Sequence, residues 1–278
     1  RILFKHLYLK KRFADRQQHS SRSLIKMLIS ITIIGHREAG HLKELLPMLG
    51  WADEVIYVDC ESGDGSLEIA EKNGCKTFER PNNPNLNLNK SYAVEQAQGE
   101  WILYLDPDER LPEKLVKELL RTVQNTRHSA FLLNRRNHYF DQWLRYGSQY
   151  PDRQPRLFQR GKGRFPNRHV HEKLEVEGSI GKLKEDMLHY PYRDIRQFLA
   201  KFDFYTDVQA GYLYDSGVRP GFWNGLNFLC LKPWIRFFRR YLLKRGFLDG
   251  YAGFFCALFD AMNYIVRYFK LWEKTRSA

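Results

Sequence analysis

The 278-residue chain predicts an α/β fold, a mostly parallel sheet flanked by helices, followed by a helical C-terminal extension. Three observations predict it. Short apolar runs at 28–34 (LISITII), 54–58 (EVIYV) and 101–105 (WILYL) read as strands buried on both faces. Each is trailed by a polar loop and a stretch of helical spacing, the rhythm of a parallel doubly wound sheet. From Arg193 onward the apolar and aromatic residues fall at three- and four-residue spacing, so the chain turns helical.

The first strand ends at Gly35, and the loop HREAG leads into a helix through HLKELLPML, disturbed near its end by Pro47. The second closes on Asp59, Cys60, Glu61, Ser62, Gly63, Asp64 and Gly65 before a helix through SLEIAEKNG. A third strand follows in CKTFERP. Residues 81–99 hold an Asn-rich loop and then a helix over 91–98. Asn89 and Lys90, placed where that loop enters the helix, are positioned to reach a phosphate or ribose, although Asn also suits capping and turns. After the 101–105 strand come Asp106, Pro107, Asp108 and Glu109, and a helix over 113–123. The segment 130–140 (AFLLNRRNHYF) reads as an edge strand.

In doubly wound sheets ligands bind outside the carboxyl ends of the strands. Glu38, Asp59, Asp64, Asp106 and Asp108 are all delivered to that edge. Two acids one residue apart suit a hard divalent cation, Mg²⁺ or Mn²⁺, which shares its shell with substrate phosphates. Taken alone, Asp-Pro-Asp-Glu reads equally well as an acidic turn. The convergence of five acids on one edge raises it above that.

Composition narrows the classes. With 43% hydrophobic and 15% aromatic residues the chain has material for a core, which excludes wholesale disorder. Cys60, Cys75, Cys230 and Cys256 show no paired or metal-ligand spacing and read as reduced thiols. The net charge of +13 divides into +7 over residues 1–26 and +7 over residues 232–278, which leaves the middle at −1. A nucleic-acid-binding core needs its basic patch on the folded domain, so that class is disfavoured. Basic ends suit an anionic lipid surface. Residues 1–26 lack the apolar core of a signal peptide. They read as a dispensable arm, disordered or a short basic helix, with Met27 directly before the first strand raising the alternative that they lie outside the natural product. The domain reading is thus the arm at 1–26, the α/β domain at 27–192 and the helical extension at 193–278.

In the extension, Trp234, Phe237, Phe238, Tyr241 and Leu242 can share one face, with Arg236, Arg239, Arg240, Lys244 and Arg245 on the other. A basic helix with an aromatic face is an interfacial membrane element, and helices that merely cap the sheet are the alternative. The run 247–266 holds Asp249, Asp260 and Asn263 and makes a poor spanning helix.

The opening ISITIIGHREA, the loop VDCESGDGS, the run NKSYAVEQAQGEWILYLDPDE and a downstream VHE together resemble the inverting family 2 glycosyltransferases of the GT-A fold. QPRLFQRG, VHEKLEVEG, LHYPY and RGFLDG resemble more narrowly the lipopolysaccharide-core β-1,4-glucosyltransferases of Gram-negative bacteria. The likeness spans about residues 28–272. It implies that Glu38 and Asp59, with Asp64 and Lys90 nearby, hold the nucleotide-sugar. It implies that Asp106 contacts the nucleotide and shares the metal with Asp108, and that Glu172 is the catalytic base. His171, beside the base, is expected at the acceptor, and Arg153 and Arg156 on the acceptor phosphate or donor diphosphate, although singly each arginine also reads as a surface charge. His189 is a candidate third metal ligand, a lone histidine that also reads as a hydrogen-bonded core residue. Arg37 stands where the family usually has asparagine. The resemblance further implies a UDP-sugar donor, a divalent cation, a lipid A-core acceptor and a peripheral place on the cytoplasmic face of the bacterial inner membrane. Alternatives are a capsule, exopolysaccharide or polyprenyl-phosphate acceptor, or a nucleotide-sugar-binding protein without turnover.

Overall fold

A computed structural model of the chain describes residues 29–166 and 174–277. The N-terminal arm, and with it His171, Glu172 and their neighbours Arg168 and His169, lie outside the described residues.

β1 (Ile29–Gly35), β2 (Glu54–Asp59), β3 (Lys76–Glu79) and β4 (Trp101–Leu105) lie parallel in the order β3-β2-β1-β4. Every residue of β1 and β4 is buried, as apolar runs without alternation require of central parallel strands. Two polar residues are buried in β1: the Ser30 hydroxyl donates to Glu54 and accepts from the Gly99 amide at 2.8 Å, whereas the Thr32 hydroxyl has no hydrogen-bond partner. One face of the sheet packs on α1 (Ala39–Leu45) and α4 (Glu113–Thr122), whose Leu42, Leu45, Leu115 and Leu119 are wholly covered. The other packs on α3 (Leu86–Glu95). α2 (Ser66–Lys72) joins β2 to β3.

Beyond β4 the sheet changes direction. β8 (Asp152–Gln159) pairs antiparallel with both β4 and β6 (Ala130–Tyr139). The long β11 (Ile180–Tyr192) then pairs parallel with β6. The expected edge strand at 130–140 is therefore interior; the pairing that buries it comes from residues fifty positions later, which local pattern cannot show. The short β5 (Glu109–Arg110) pairs antiparallel with β11, Glu109 opposite His189, and closes the path. β7 (Gln142–Trp143) hairpins onto β6, and β9 (Gly163–Arg164) pairs with β10 (Glu175–Val176) apart from the main sheet. Nine of the described strands form the main sheet.

The third crossover helix begins at Leu86, earlier than its sequence suggests. Asn89 thus lies within α3, and its side chain donates to the Pro81 carbonyl at 2.9 Å, a structural role that takes it away from a ligand.

α5 (Ile195–Asp215) is capped by Asp194, whose carboxylate accepts from the Gln197 amide at 2.7 Å. Then come α6 (Phe222–Gly225), a π-helical turn (Leu226–Leu231), α7 (Lys232–Phe238), a second π turn (Arg239–Leu243), a 3-10 turn (Gly246–Asp249) and α8 (Gly250–Ser277). Phe198 carries the extension onto the sheet. Its ring stands 4.8 Å from Tyr192 at the end of β11 and 4.8 Å from Phe255 on α8. Among the described residues no helix is long and apolar enough to cross a membrane.

The expected division of the basic helix into two faces is corrected in part. Arg236 and Arg240 turn inward onto Asp260 of α8, the latter at 2.8 Å, and the Phe237 and Tyr241 rings pack against Phe254. A half-buried acid across the interface recruits the two arginines, and only the three-dimensional partner reveals it.

Candidate active site

The strand order reverses between β1 and β4, the switch point outside whose carboxyl ends ligands bind in open α/β sheets. Glu38 follows β1, and Asp106 and Asp108 follow β4. Asp59 and Asp64 flank them after β2.

The acid turn is held from several sides. Arg110 pins it from beneath: Nη1 donates to the Pro107 carbonyl at 2.8 Å and Nη2 to Glu44 at 2.7 Å. Asp106 is gripped by the Tyr104 hydroxyl on one oxygen and by Arg156 Nη2 on the other. The same Nη2 reaches Glu109, which is wholly buried, also accepts from the Asp106 amide at 3.0 Å, and lies 3.4 Å from Arg135. Burial alone would raise the Asp106 carboxyl, but the Arg156 and Lys90 charges and the Tyr104 hydroxyl outweigh it and hold the group well below the usual carboxylate range. Glu109 goes the other way: burial pushes it up to about 7 against the pull of Arg156. Arg156, expected on an acceptor, is thus buried and committed to Asp106 and Glu109, whereas Arg153 is exposed on β8. The Lys90 ammonium stands 4.8 Å over the Tyr104 ring, beside Asp106.

Asp108 differs from Asp106. Its Oδ1 is buried without a hydrogen-bond partner and faces His189 Nε2 at 3.5 Å, while Lys201 of α5 stands 3.6 Å from Oδ2. His189 is positioned through Asn137. Both Asn137 N–H groups are used, on the Gln149 carbonyl at 3.0 Å and Asp152 at 3.2 Å, so its Oδ1 accepts from His189 Nδ1 at 2.7 Å. With Nδ1 carrying the proton, and burial lowering the imidazole to about 4, Nε2 presents a lone pair to the lone pairs of Asp108 Oδ1. Two acceptors at that separation are satisfied by a cation between them. An imidazole oriented by an amide behind it and one carboxylate are a donor set that fits Mn²⁺ or Mg²⁺ sharing its shell with phosphate oxygens. Among the described residues no three His, Cys, Asp or Glu side chains form a ready-made cage.

Glu38 sits beside these groups. Burial first, then the neighbouring Asp108, Asp106 and Asp64 charges, push its carboxyl up to about 7, with Lys201 opposing. Its amide donates to the Ser66 hydroxyl at 3.0 Å. Asp64 bridges the first two loops, accepting from the Ala39 and Ser66 amides at 3.1 Å each. Asp59 is buried and accepts from the Ser62 amide at 2.9 Å and the Tyr57 hydroxyl at 3.1 Å. Glu38, Asp106, Asp108 and His189 therefore share one edge. Asp59 and Asp64 shape its loops.

Lys201 and His41 escaped the sequence reading. Lys201 lies past the change to helical pattern, where a charge reads as solvated surface. His41 reads as one polar position on α1. Its Nδ1 accepts from Arg193 at 3.3 Å, which leaves a buried, unpartnered Nε2 4.0 Å from Glu38.

The chain is similar to known glycosyltransferases. Residues 33–175, about half of the chain, match the sequence profile described as glycosyl transferase family 2. A glycosyltransferase of Rickettsia bellii, itself uncharacterised, is 29% identical over 267 residues, covering 90% of this chain and 88% of its own. Another from Rickettsia conorii is 27% identical over 272 residues, covering 92% and 93%. The fold is similar to that of the mannosyltransferase PcManGT of Pyrobaculum calidifontis, solved with GDP-Man and Mn²⁺. That likeness has a TM-score of 0.53 at 13% identity, covering 98% of this chain and 96% of the other. The chain belongs to glycosyl transferase family 2, with a GT-A-like fold, and is a glycosyltransferase that uses a nucleotide sugar.

Proposed function

We propose that the protein is a metal-dependent inverting hexosyltransferase that moves glucose from UDP-glucose onto a heptose of the lipopolysaccharide inner core, forming a β linkage. The observation that carries the metal-dependent part is Asp108 Oδ1, buried, unpartnered and opposed to the His189 Nε2 lone pair at the switch point. Glucose and heptose rest on the resemblance of QPRLFQRG, VHEKLEVEG, LHYPY and RGFLDG to the core glucosyltransferases.

Asp108 and His189 would hold the cation, which when bound supplies positive charge beside the leaving diphosphate. The chain's own groups do the rest. Arg156 and Tyr104 keep Asp106 ionised and oriented toward the donor. Lys201 brings an ammonium to the same edge from the far side. Glu38 and the loops shaped by Asp59 and Asp64 receive the nucleoside. Glu172, on the segment between β9 and β10, takes the proton of the acceptor hydroxyl as it attacks the anomeric carbon. That step is worth about 10²–10⁴-fold. One base suffices, because the diphosphate leaves as an anion.

The test is incubation with UDP-glucose and deacylated inner-core oligosaccharide, with the product linkage read by NMR. A single β-glucosyl-heptose supports the proposal. An α product, or glucose on another sugar, refutes it.

A further inference from the structure

We propose that the surface formed by α6, α7 and the turns around them docks onto an anionic lipid bilayer and fixes how the acid edge faces the membrane. Large apolar side chains stand out into solvent here: Phe222 is 78% exposed, Trp223 77%, Trp234 61%, Ile235 65%, Leu243 77% and Tyr251 96%. Trp234, Ile235, Phe238 and Leu243 line one groove with Arg239 and Lys244, and soluble monomers rarely leave large apolar groups uncovered together.

Charge identifies the occupant. Residues 216–248 contain no acidic side chain and seven basic ones. Arg236 and Arg240 turn inward to Asp260 and the half-buried Lys232 stands 3.8 Å over the Phe228 ring, so the exposed cations are Arg219, Arg239, Lys244 and Arg245. Tryptophans and aliphatics set among cations of one sign fit the headgroup layer of an anionic leaflet. A second copy meeting this face across a two-fold axis would bring like charges together.

The surface is fastened to the catalytic edge. The Gly147 amide donates to the Lys244 carbonyl at 2.8 Å, and Arg240 Nε donates to the Gly147 carbonyl at 2.7 Å. Buried Asp249 accepts from the Arg145 and Tyr146 amides at 3.1 and 2.8 Å. The Gln149 carbonyl of that same loop orients Asn137, and Asn137 orients His189. Docking therefore sets the site's orientation to the bilayer, where an acyl-anchored acceptor would be confined. The docking itself does not depend on the transfer reaction, and its test reads lipid binding alone.

The full chain is sedimented with vesicles of phosphatidylcholine alone or mixed with phosphatidylglycerol. Binding should favour the anionic vesicles and weaken with salt. Arg239→Gln with Lys244→Gln should lower the partition about 25-fold, at about fivefold per basic side chain. Trp234→Ser with Ile235→Ser should lower it about tenfold or more by removing apolar insertion. Unchanged melting and UDP binding establish that both variants fold. Three results would overturn the proposal: no vesicle binding by the wild type, undiminished binding by both folded variants, or a vesicle-free dimer that Trp234→Ser with Ile235→Ser dissolves.

Discussion

Replacing Arg156 by methionine keeps most of the side chain's stem and removes the one cation that Asp106 and Glu109 share. Glu109 is 0% exposed and so cannot turn to water for compensation. Its remaining cationic partner, Arg135, stands 3.4 Å away and is already bound to Asp152 at 2.7 Å. Removing one member of a buried ionic group costs about 3–5 kcal/mol, because the other charge stays desolvated. For a chain of this size that is a fall in Tm on the order of 10 °C at pH 8. The sign of the pH dependence follows from the environment. Glu109 is raised to about 7 even with Arg156 in place, and losing Arg156, the largest of the charges that pull it down, raises it further. Protonation then favours the folded variant, so its deficit is largest at pH 8 and shrinks as pH falls through the folded pKa. Differential scanning calorimetry of wild type and Arg156→Met at pH 8 and pH 5.5 checks this, with a smaller gap expected at the lower pH, where the Glu109 part of the deficit is gone and the Asp106 part remains. Equal gaps, or no destabilisation at pH 8, would refute the shared-cation account of the acid turn.

Other expected outcomes concern single contacts. Asp108→Ala should abolish the Mn²⁺-dependent gain in UDP affinity while leaving metal-free UDP binding unchanged, as read by calorimetry. Asn137→Ala removes the group that orients His189 and should weaken Mn²⁺ binding about 10–100-fold in a titration followed by electron paramagnetic resonance. Glu172→Gln should bind donor normally and lose about 10²–10⁴-fold in transfer; near-normal turnover would place the base elsewhere. Gly253→Ala exchanges glycine for the best helix former. The added methyl would nonetheless lie 2.0 Å from the Gly246 carbonyl, so Tm should fall by the equivalent of about 1–3 kcal/mol. A rise in Tm would show that propensity outweighs the close approach.

The parallel half of the sheet was legible because its strands are continuous apolar runs with acids at their ends, a signal local in sequence. Glu38, Asp106 and Asp108 could be placed at one edge on that basis. What decides their chemistry was not local. Glu109 reads as one more acid in a polar turn, and becomes a buried group only because Arg156 arrives from β8. Lone-histidine statistics favour a core role for His189. Its position opposite Asp108 depends on β5 crossing to pair with β11, a two-residue strand with no recognisable pattern. Arg236 and Arg240 sit on the polar side of a helical wheel, and only the packing of α8 brings Asp260 to them. Long-range pairing, more than propensity, separates the expected site from the observed one.

UDP release from a panel of UDP-sugars, with Mn²⁺, Mg²⁺ or EDTA and with or without deacylated core oligosaccharide, tests the central claim most directly. Metal-dependent hexosyl transfer predicts release from a single donor, UDP-glucose, that rises with acceptor and disappears with EDTA or in Asp108→Ala. Undiminished release in EDTA, or no release from any UDP-sugar in the presence of metal and acceptor, would contradict it.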